Sequence, residues 1–306
     1  QMLSGLGLSG NMNYYPYISA LSNGTSTGWL FDNDNTQKTI SPPTQLPVSS
    51  LTWEKVTTSN IGLNLGLLNS RLDAEFDLYS RKTSDMLMSQ SLPEILGATA
   101  PKMNSGELIT RGWELSLRWH DRIGDDFSYS LGFNIFDSQA EITKWEGGAG
   151  TVTDNYKGKK IGEIWGYETE GFITAADFVN GDVNKGLIIS QAAFGSNWKP
   201  GDIKYKNRND DDAINTGKNT PEDPGDRKVI GNSTPRYQYG ITGEAQWKGL
   251  FMSFFLQGVG KRDFWNGTEE FFPMGTQYYN TQKHWITDSW TEDNPNAYFP
   301  LTRARS

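Results

Sequence analysis

The residue pattern predicts an all-β chain: a segment of a large antiparallel transmembrane β-barrel with long loops at one end. Two observations predict it. Several long stretches alternate apolar and polar residues, so that one face of each strand is greasy and the other carries full charges. The connections between them alternate long and short, as in a membrane barrel with tight turns at one rim and long loops at the other. A soluble sandwich also alternates, but its strands rarely run this long.

Taken in order, the strand candidates are Met2–Gly10, Thr52–Leu67, Arg71–Met88, Ile109–Asp121, Asp126–Ala140, Arg236–Lys248 and Leu250–Lys261. In the second, Ile61, Leu63, Leu65 and Leu67 share a face against Gly62, Asn64 and Gly66. In the third, Leu72, Ala74, Phe76 and Leu78 oppose Asp73, Glu75 and Asp77. Trp113, Leu115, Leu117 and Trp119 then oppose Glu114, Ser116 and Arg118, and Phe127 to Ile135 follows the same rule. In the last strand Phe251 and Phe255 make both faces apolar. The short connections are Leu68-Asn69-Ser70, Arg122–Asp125 and Lys248-Gly249. The long ones are Asn11–Leu51, Ser89–Leu108, Glu141–Pro235 and Arg262 onward.

This order predicts that the residues between Asp126–Ala140 and Arg236–Lys248 cross the membrane an even number of times. Zero crossings are favoured, with 141–235 a partly structured extracellular loop of functional length. Seven strands cannot close a barrel, and open edges are not tolerated in lipid. The chain also opens in a strand-like run with no charged leader. Residues 1–306 are therefore expected to be one partial barrel domain, with further strands elsewhere.

Composition narrows the function. Hydrophobic residues make up 36%, thin for 306 residues, while 11 Trp and 13 Tyr suit aromatic girdles at a membrane interface. Trp53, Trp113, Trp119 and Trp247 lie near strand ends, where that role fits them. The net charge of −8 and scattered Lys and Arg argue against nucleic-acid binding. With no cysteine there is no thiolate metal site or Cys nucleophile. His120 and His284, the two histidines, show no triad spacing, so an enzyme is not expected.

Several motifs in order carry a resemblance. Leu51-Thr52-Trp53-Glu54-Lys55 is followed by Asn60-Ile61-Gly62-Leu63 and by the run Asp77 to Leu87. Thr110-Arg111-Gly112-Trp113-Glu114-Leu115 comes next, then Gly231-Asn232-Ser233-Thr234-Pro235-Arg236-Tyr237, running into Phe255-Leu256-Gln257-Gly258. In this ordered set the chain resembles the SusC/RagA family of TonB-dependent outer-membrane transporters. The resemblance implies about 22 strands in the complete barrel and a location in the cell outer membrane. It also implies import of glycans or peptides together with a SusD-like surface lipoprotein. The plug, the N-terminal region that would engage TonB and the final strands have no counterpart in these residues.

Site candidates are weaker. Asn207, Asn209 and Asp211 occupy alternate positions after Gly201-Asp202-Ile203-Lys204-Tyr205, as in a calcium loop of the type D-x-N-x-D-G, and related transporters often carry such a loop here. Asp212 stands where that loop needs glycine, so a solvated acidic loop is the other reading; no other cofactor is expected. For substrate or partner contact the candidates are Trp145, Trp165, Tyr167, Trp198, Trp265 and Tyr278, aromatics in the long connections. Aromatic faces stack on sugars and bury well at protein interfaces, and they also simply pack loops together. The lumen-facing charges Asp73, Glu75, Asp77, Glu114, Arg118 and Glu244 are expected to keep the interior wet. The alternative function is a secreted β-sandwich that holds polysaccharide with its Trp-rich loops.

Overall fold

The computed structural model describes residues 2–4, 22–27, 36–41, 51–89, 102–148, 150–179, 182–183, 189–195, 197–268 and 282–302. Its elements are β1 (Met2–Ser4), β2 (Ser22–Thr27), β3 (Thr36–Ser41), β4 (Glu54–Leu67), β5 (Leu72–Ser89), β6 (Lys102–Ile123) and β7 (Phe127–Lys144). Then come β8 (Glu163–Tyr167), β9 (Thr169–Phe172), β10 (Phe178–Val179), β11 (Asp182–Val183), β12 (Ile203–Tyr205), β13 (Arg227–Asn232), β14 (Arg236–Trp247), β15 (Leu250–Lys261) and α1 (Lys283–Thr287). The chain divides into two compact units: one holds residues 1–161 and 236–261, the other 162–235 and 262–306.

The first unit contains a seven-stranded antiparallel sheet in the order β1-β4-β5-β6-β7-β14-β15. Register turns the alternation of single strands into rows that cross the sheet. One row is Leu63, Phe76, Leu115, Ile135 and Tyr239; the next is Leu65, Ala74, Leu117, Phe133, Ile241 and Leu256. On the other face runs Asn64, Glu75, Ser116, Asn134, Gly240 and Gln257. A slip of one residue would exchange the two faces, so the pattern itself fixes the pairing.

The apolar face is uncovered: Ile61 is 77% exposed, and Leu63, Leu78, Met252 and Leu256 are exposed too. A sandwich needs these side chains buried against a second sheet, so that alternative does not describe this unit. On β7 the apolar face runs through Phe127, Tyr129, Leu131, Phe133 and Ile135. Those eight residue steps span about 26 Å along the strand and, at a tilt of about 40°, about 20 Å in height, close to the apolar band of a membrane barrel.

The turns follow from local chemistry. Lys248 and Gly249 both have positive φ (46° and 85°), the requirement of a two-residue hairpin turn that continues the strand twist. Between β4 and β5, Leu68, Asn69 and Ser70 all take left-handed φ values of 55–62°, and the Arg71 N–H closes the turn on the Leu68 carbonyl at 3.3 Å. β7 pairs directly with β14, from Phe136 opposite Gln238 to Phe127 opposite Trp247. Among the described residues, none between them adds a strand to the large sheet.

β6 starts at Lys102 rather than Ile109. Register shifts on both sides of this extension: β6 against β7 between Glu107 and Leu108, and β5 against β6 between Thr83, Met86 and Leu87, with Asp85 at φ 57°. A bulge breaks the period of two, which hides the continuation from the pattern. Asn104 holds the extension in place by donating to the Thr52 carbonyl (2.9 Å) and accepting from the Thr52 N–H (2.8 Å). β7 likewise continues past Ala140 to Lys144. Of the first strand candidate, residues 5–10 lie outside the described residues.

The second unit is built from two-stranded ribbons, β13 with β8, β12 with β9 and β10 with β11. Ile173 and Ile214 are fully buried in it, and Trp285 packs on Phe299 with ring centroids 4.2 Å apart. Gly201, at φ 90°, lies against the Trp290 ring where a Cβ has no room.

Candidate functional site

The polar face of the large sheet places Asp73, Glu75, Asp77, Glu114, Arg118 and Glu244 together, in rows set by β5, β6 and β14. Asp77 accepts from the Asn60 amide at 3.1 Å, Glu244 from the Ser130 hydroxyl at 3.4 Å, and His120 lies 3.9 Å from Asp73. Asp77 and Glu114 are direct cross-strand neighbours. Like charges facing each other repel, and only a wet surface makes that tolerable. The arrangement lines a polar space; it presents no nucleophile with a positioned base.

In the second unit the aromatic candidates separate by environment. Tyr167 at the end of β8 packs edge-on to Phe194 (4.8 Å between centroids) and against Tyr205 (5.5 Å). Burial pushes its hydroxyl pKa up, and among the described residues that hydroxyl has no hydrogen-bond partner. Trp165 lies on β8 opposite Val229. The Trp198 indole N–H donates to the Gly195 carbonyl at 2.9 Å. Trp265, in contrast, is 60% exposed beside the exposed Phe264. Asp263 fixes the start of that segment, since its carboxylate accepts the Asn232 N–H and its own N–H donates to the Asn232 carbonyl (2.8 and 3.0 Å). Arg262 adds a bond to the Ser233 carbonyl at 3.0 Å. Trp145, in the first unit, is half-buried, and its indole N–H has no hydrogen-bond partner among the described residues. Tyr278 lies outside the described residues.

Asn207, Asn209 and Asp211 come together in one turn tied by its own hydrogen bonds: the Asn207 amide donates to the Asp211 main-chain carbonyl, and the Asp211 N–H donates to the Asn209 Oδ1 at 3.3 Å. Asp211 accepts from the Ala213 N–H (2.9 Å) and from the side-chain amides of Asn209 (2.8 Å) and Asn215 (3.1 Å). These bonds, the Ala213 one foremost, hold its pKa below the ordinary carboxylate value. Its contribution is therefore present at neutral pH and lost as pH falls through that lowered value. As placed, the Asn207 and Asn209 amide N–H groups are aimed at Asp211 and the Asn209 Oδ1 is taken by the Asp211 N–H, so a calcium ion would require these amides to rotate. Among the described residues no three His, Asp or Glu side chains converge as a metal site.

The organiser of this loop is Asp226, which sequence spacing did not single out. It is fully buried, accepting the Arg208 N–H and the Asn215 N–H at 2.8 Å each. The Asp226→Ala variant is expected to leave two part-buried donors unmet and to open the loop locally by about 2 kcal/mol. Hydrogen exchange at the Arg208 and Asn215 amides would show it. Addition of EDTA to the unchanged protein should leave that exchange as it was; a chelator-dependent rise would mark a bound cation instead.

Comparison with known proteins supplies the context. Residues 9–164 match the family described as "TonB dependent receptor-like, beta-barrel". The chain is 26% identical over 269 residues to TonB-dependent receptor P3 of Formosa agariphila, covering 84% of this chain and 25% of that protein. It is 31% identical over 209 residues to TonB-dependent receptor SusC of Bacteroides thetaiotaomicron, covering 68% of this chain and 19% of that protein. Among solved structures it superposes on the RagAB peptide importer in its open-open state with a TM-score of 0.66 at 21% identity, covering 96% of this chain and 29% of that one. The RagAB peptide transporter gives 0.61 at 22%, covering 95% and 30%. The chain thus spans about a quarter of the length of the curated relatives it matches.

Proposed function

The chain belongs to the TonB-dependent receptor β-barrel family, and from that premise we propose that it forms part of the wall of an outer-membrane importer for glycans or peptides. The apolar rows face lipid, the polar rows face an aqueous lumen, and residues 141–235 lie on the extracellular side. Cargo is captured there and passes through the lumen without bond chemistry. Energy arrives from TonB through a part of the protein outside these residues, and a SusD-like lipoprotein covers the extracellular mouth.

The observation that carries this reading is the two-faced sheet: unbroken apolar rows left uncovered on one side, and carboxylates in register on the other. The solved RagAB structures, described as a peptide transporter, support the peptide reading, and the glycan reading rests on the resemblance to the SusC/RagA family. The exposed Phe264-Trp265 pair, set by the Asp263 clamp, is the surface offered to the lipoprotein.

Paired replacement of Phe264 and Trp265 by alanine in the full-length protein is expected to reduce co-purification of the lipoprotein about tenfold. Assembly of the barrel should not change. Equal recovery of the partner with both rings removed would reject this assignment while leaving the importer reading intact.

A further inference from the structure

The outward face changes character at a single row. Ile61, Leu78 and Trp113 form the last apolar row toward the long-loop end, a row that ends on Asp137 of β7; one step above them Ser59, Ser80, Arg111 and Gln139 stand side by side on β4 to β7. These two rows line a shallow concavity of about 680 Å³ on the outer wall. The other cations on this face are already matched. Lys82 pairs with Glu107 at 2.7 Å, and Arg236 grips the buried carboxylate of Asp137. Arg111 is exposed, and among the described residues no carboxylate lies within ion-pair distance of it. The side chains of Ser59, Ser80 and Gln139 likewise make no hydrogen bond within the described protein.

We propose that Arg111, with Ser59, Ser80 and Gln139, holds the phosphate of an outer-leaflet lipid headgroup whose acyl chains lie on the apolar rows below. The inference rests on the membrane reading above. Neighbouring strands stand about 5 Å apart, so Ser80 and Gln139 flank Arg111 within reach of the oxygens of one phosphate. A guanidinium fork suits a phosphate and is matched only by an anion. A free phosphate would gain nothing from the apolar floor, whereas an amphiphile satisfies the cation and the greasy surface together. Trp113, at the boundary row, sits where amphipathic rings meet headgroups.

The test uses full-length protein extracted from outer membranes in mild detergent, with retained lipid counted by native mass spectrometry. Fractionation comes first: protein found outside the outer membrane would overturn the membrane reading, and this proposal with it. For protein in the membrane, the unchanged chain should retain a phosphorylated lipid. Arg111→Gln should lower that retention about tenfold, the loss of one charge-assisted contact. Arg111→Lys should recover part of it, and Lys82→Gln should leave it unchanged. In a second arm, delipidated unchanged protein is titrated with the phosphorylated lipid, with a phosphate-free glycolipid, and with inorganic phosphate. Selective rebinding of the phosphorylated lipid supports the proposal even if a variant fails to assemble. Equal retention by Arg111→Gln, equal binding of the phosphate-free lipid, or displacement by millimolar inorganic phosphate overturns it while the importer reading stands.

Discussion

Replacing Leu63 or Phe76 with arginine is expected to block assembly of the barrel. The two residues are cross-strand partners on the uncovered apolar face, in the row that continues through Leu115 and Ile135. A charge placed there faces hydrocarbon, at a cost of about 2–4 kcal/mol near the midplane. That is a large share of the net stability of a typical domain, about 5–15 kcal/mol. Glu75→Gln, one position away on the wet face, should be nearly silent. The loss would be read as the fraction of full-length protein that migrates as a folded, heat-modifiable barrel in outer-membrane extracts.

Asp137→Ala carries a comparable cost for a different reason. Asp137 is 6% exposed and accepts two bonds from the Arg236 guanidinium, and a third from the Tyr237 N–H at 3.3 Å. Tyr237 sits at φ 53°, an uncommon conformation for a bulky residue, and the Asp137 contact helps to hold it. These bonds join β7 to the first turn of β14 across 99 residues of chain. Removing the carboxylate leaves Arg236 largely buried without an anion, a loss of about 3 kcal/mol. The double variant Asp137→Ala, Arg236→Met should regain most of it, because the unpaired charge is what destabilises. Urea unfolding of the full-length protein would separate the two. A single variant as stable as the double one would show that the pair does not fasten the strands.

What was legible in the sequence was whatever a period of two can carry. β4, β7, β14 and β15 begin or end within a few residues of where alternation stops, because each is bounded by a turn with its own chemistry. Lys248-Gly249 is the clearest, a dipeptide whose two positive φ values only a tight hairpin needs. The direct pairing of β7 with β14 was also legible, since the direction that short turns impose allows only an even number of crossings between them.

The pattern carried β5 through its bulge but stopped short on β6, where register shifts at Glu107 and Leu108, and it missed ribbons too short to alternate, as in β8 to β13. The aromatic runs around Trp165 and Phe172 signalled order there without giving its form. The roles of Asp226, Asp137 and Arg111 went unread for another reason. Their importance depends on which distant residue faces them, or on none doing so, and register alone supplies that. The candidate loop at Asn207 to Asp211 shows the converse case: the spacing of oxygen-bearing side chains was visible, whereas the direction of their hydrogen bonds was not.

The central claim is that lipid touches one face of this sheet and water the other. These 306 residues contain no cysteine, so, with any cysteine elsewhere in the full-length protein replaced by serine, single substitutions from Ile61→Cys through Leu67→Cys each give one labelling site. Spin labels at these positions, in full-length protein within native membranes, can be probed with dissolved oxygen and with a water-soluble relaxation agent. Labels at 61, 63, 65 and 67 should respond to oxygen and those at 62, 64 and 66 to the aqueous agent, in strict alternation. Positions 61, 63, 65 and 67 shielded from both probes, or all seven open to the aqueous agent, would contradict the account.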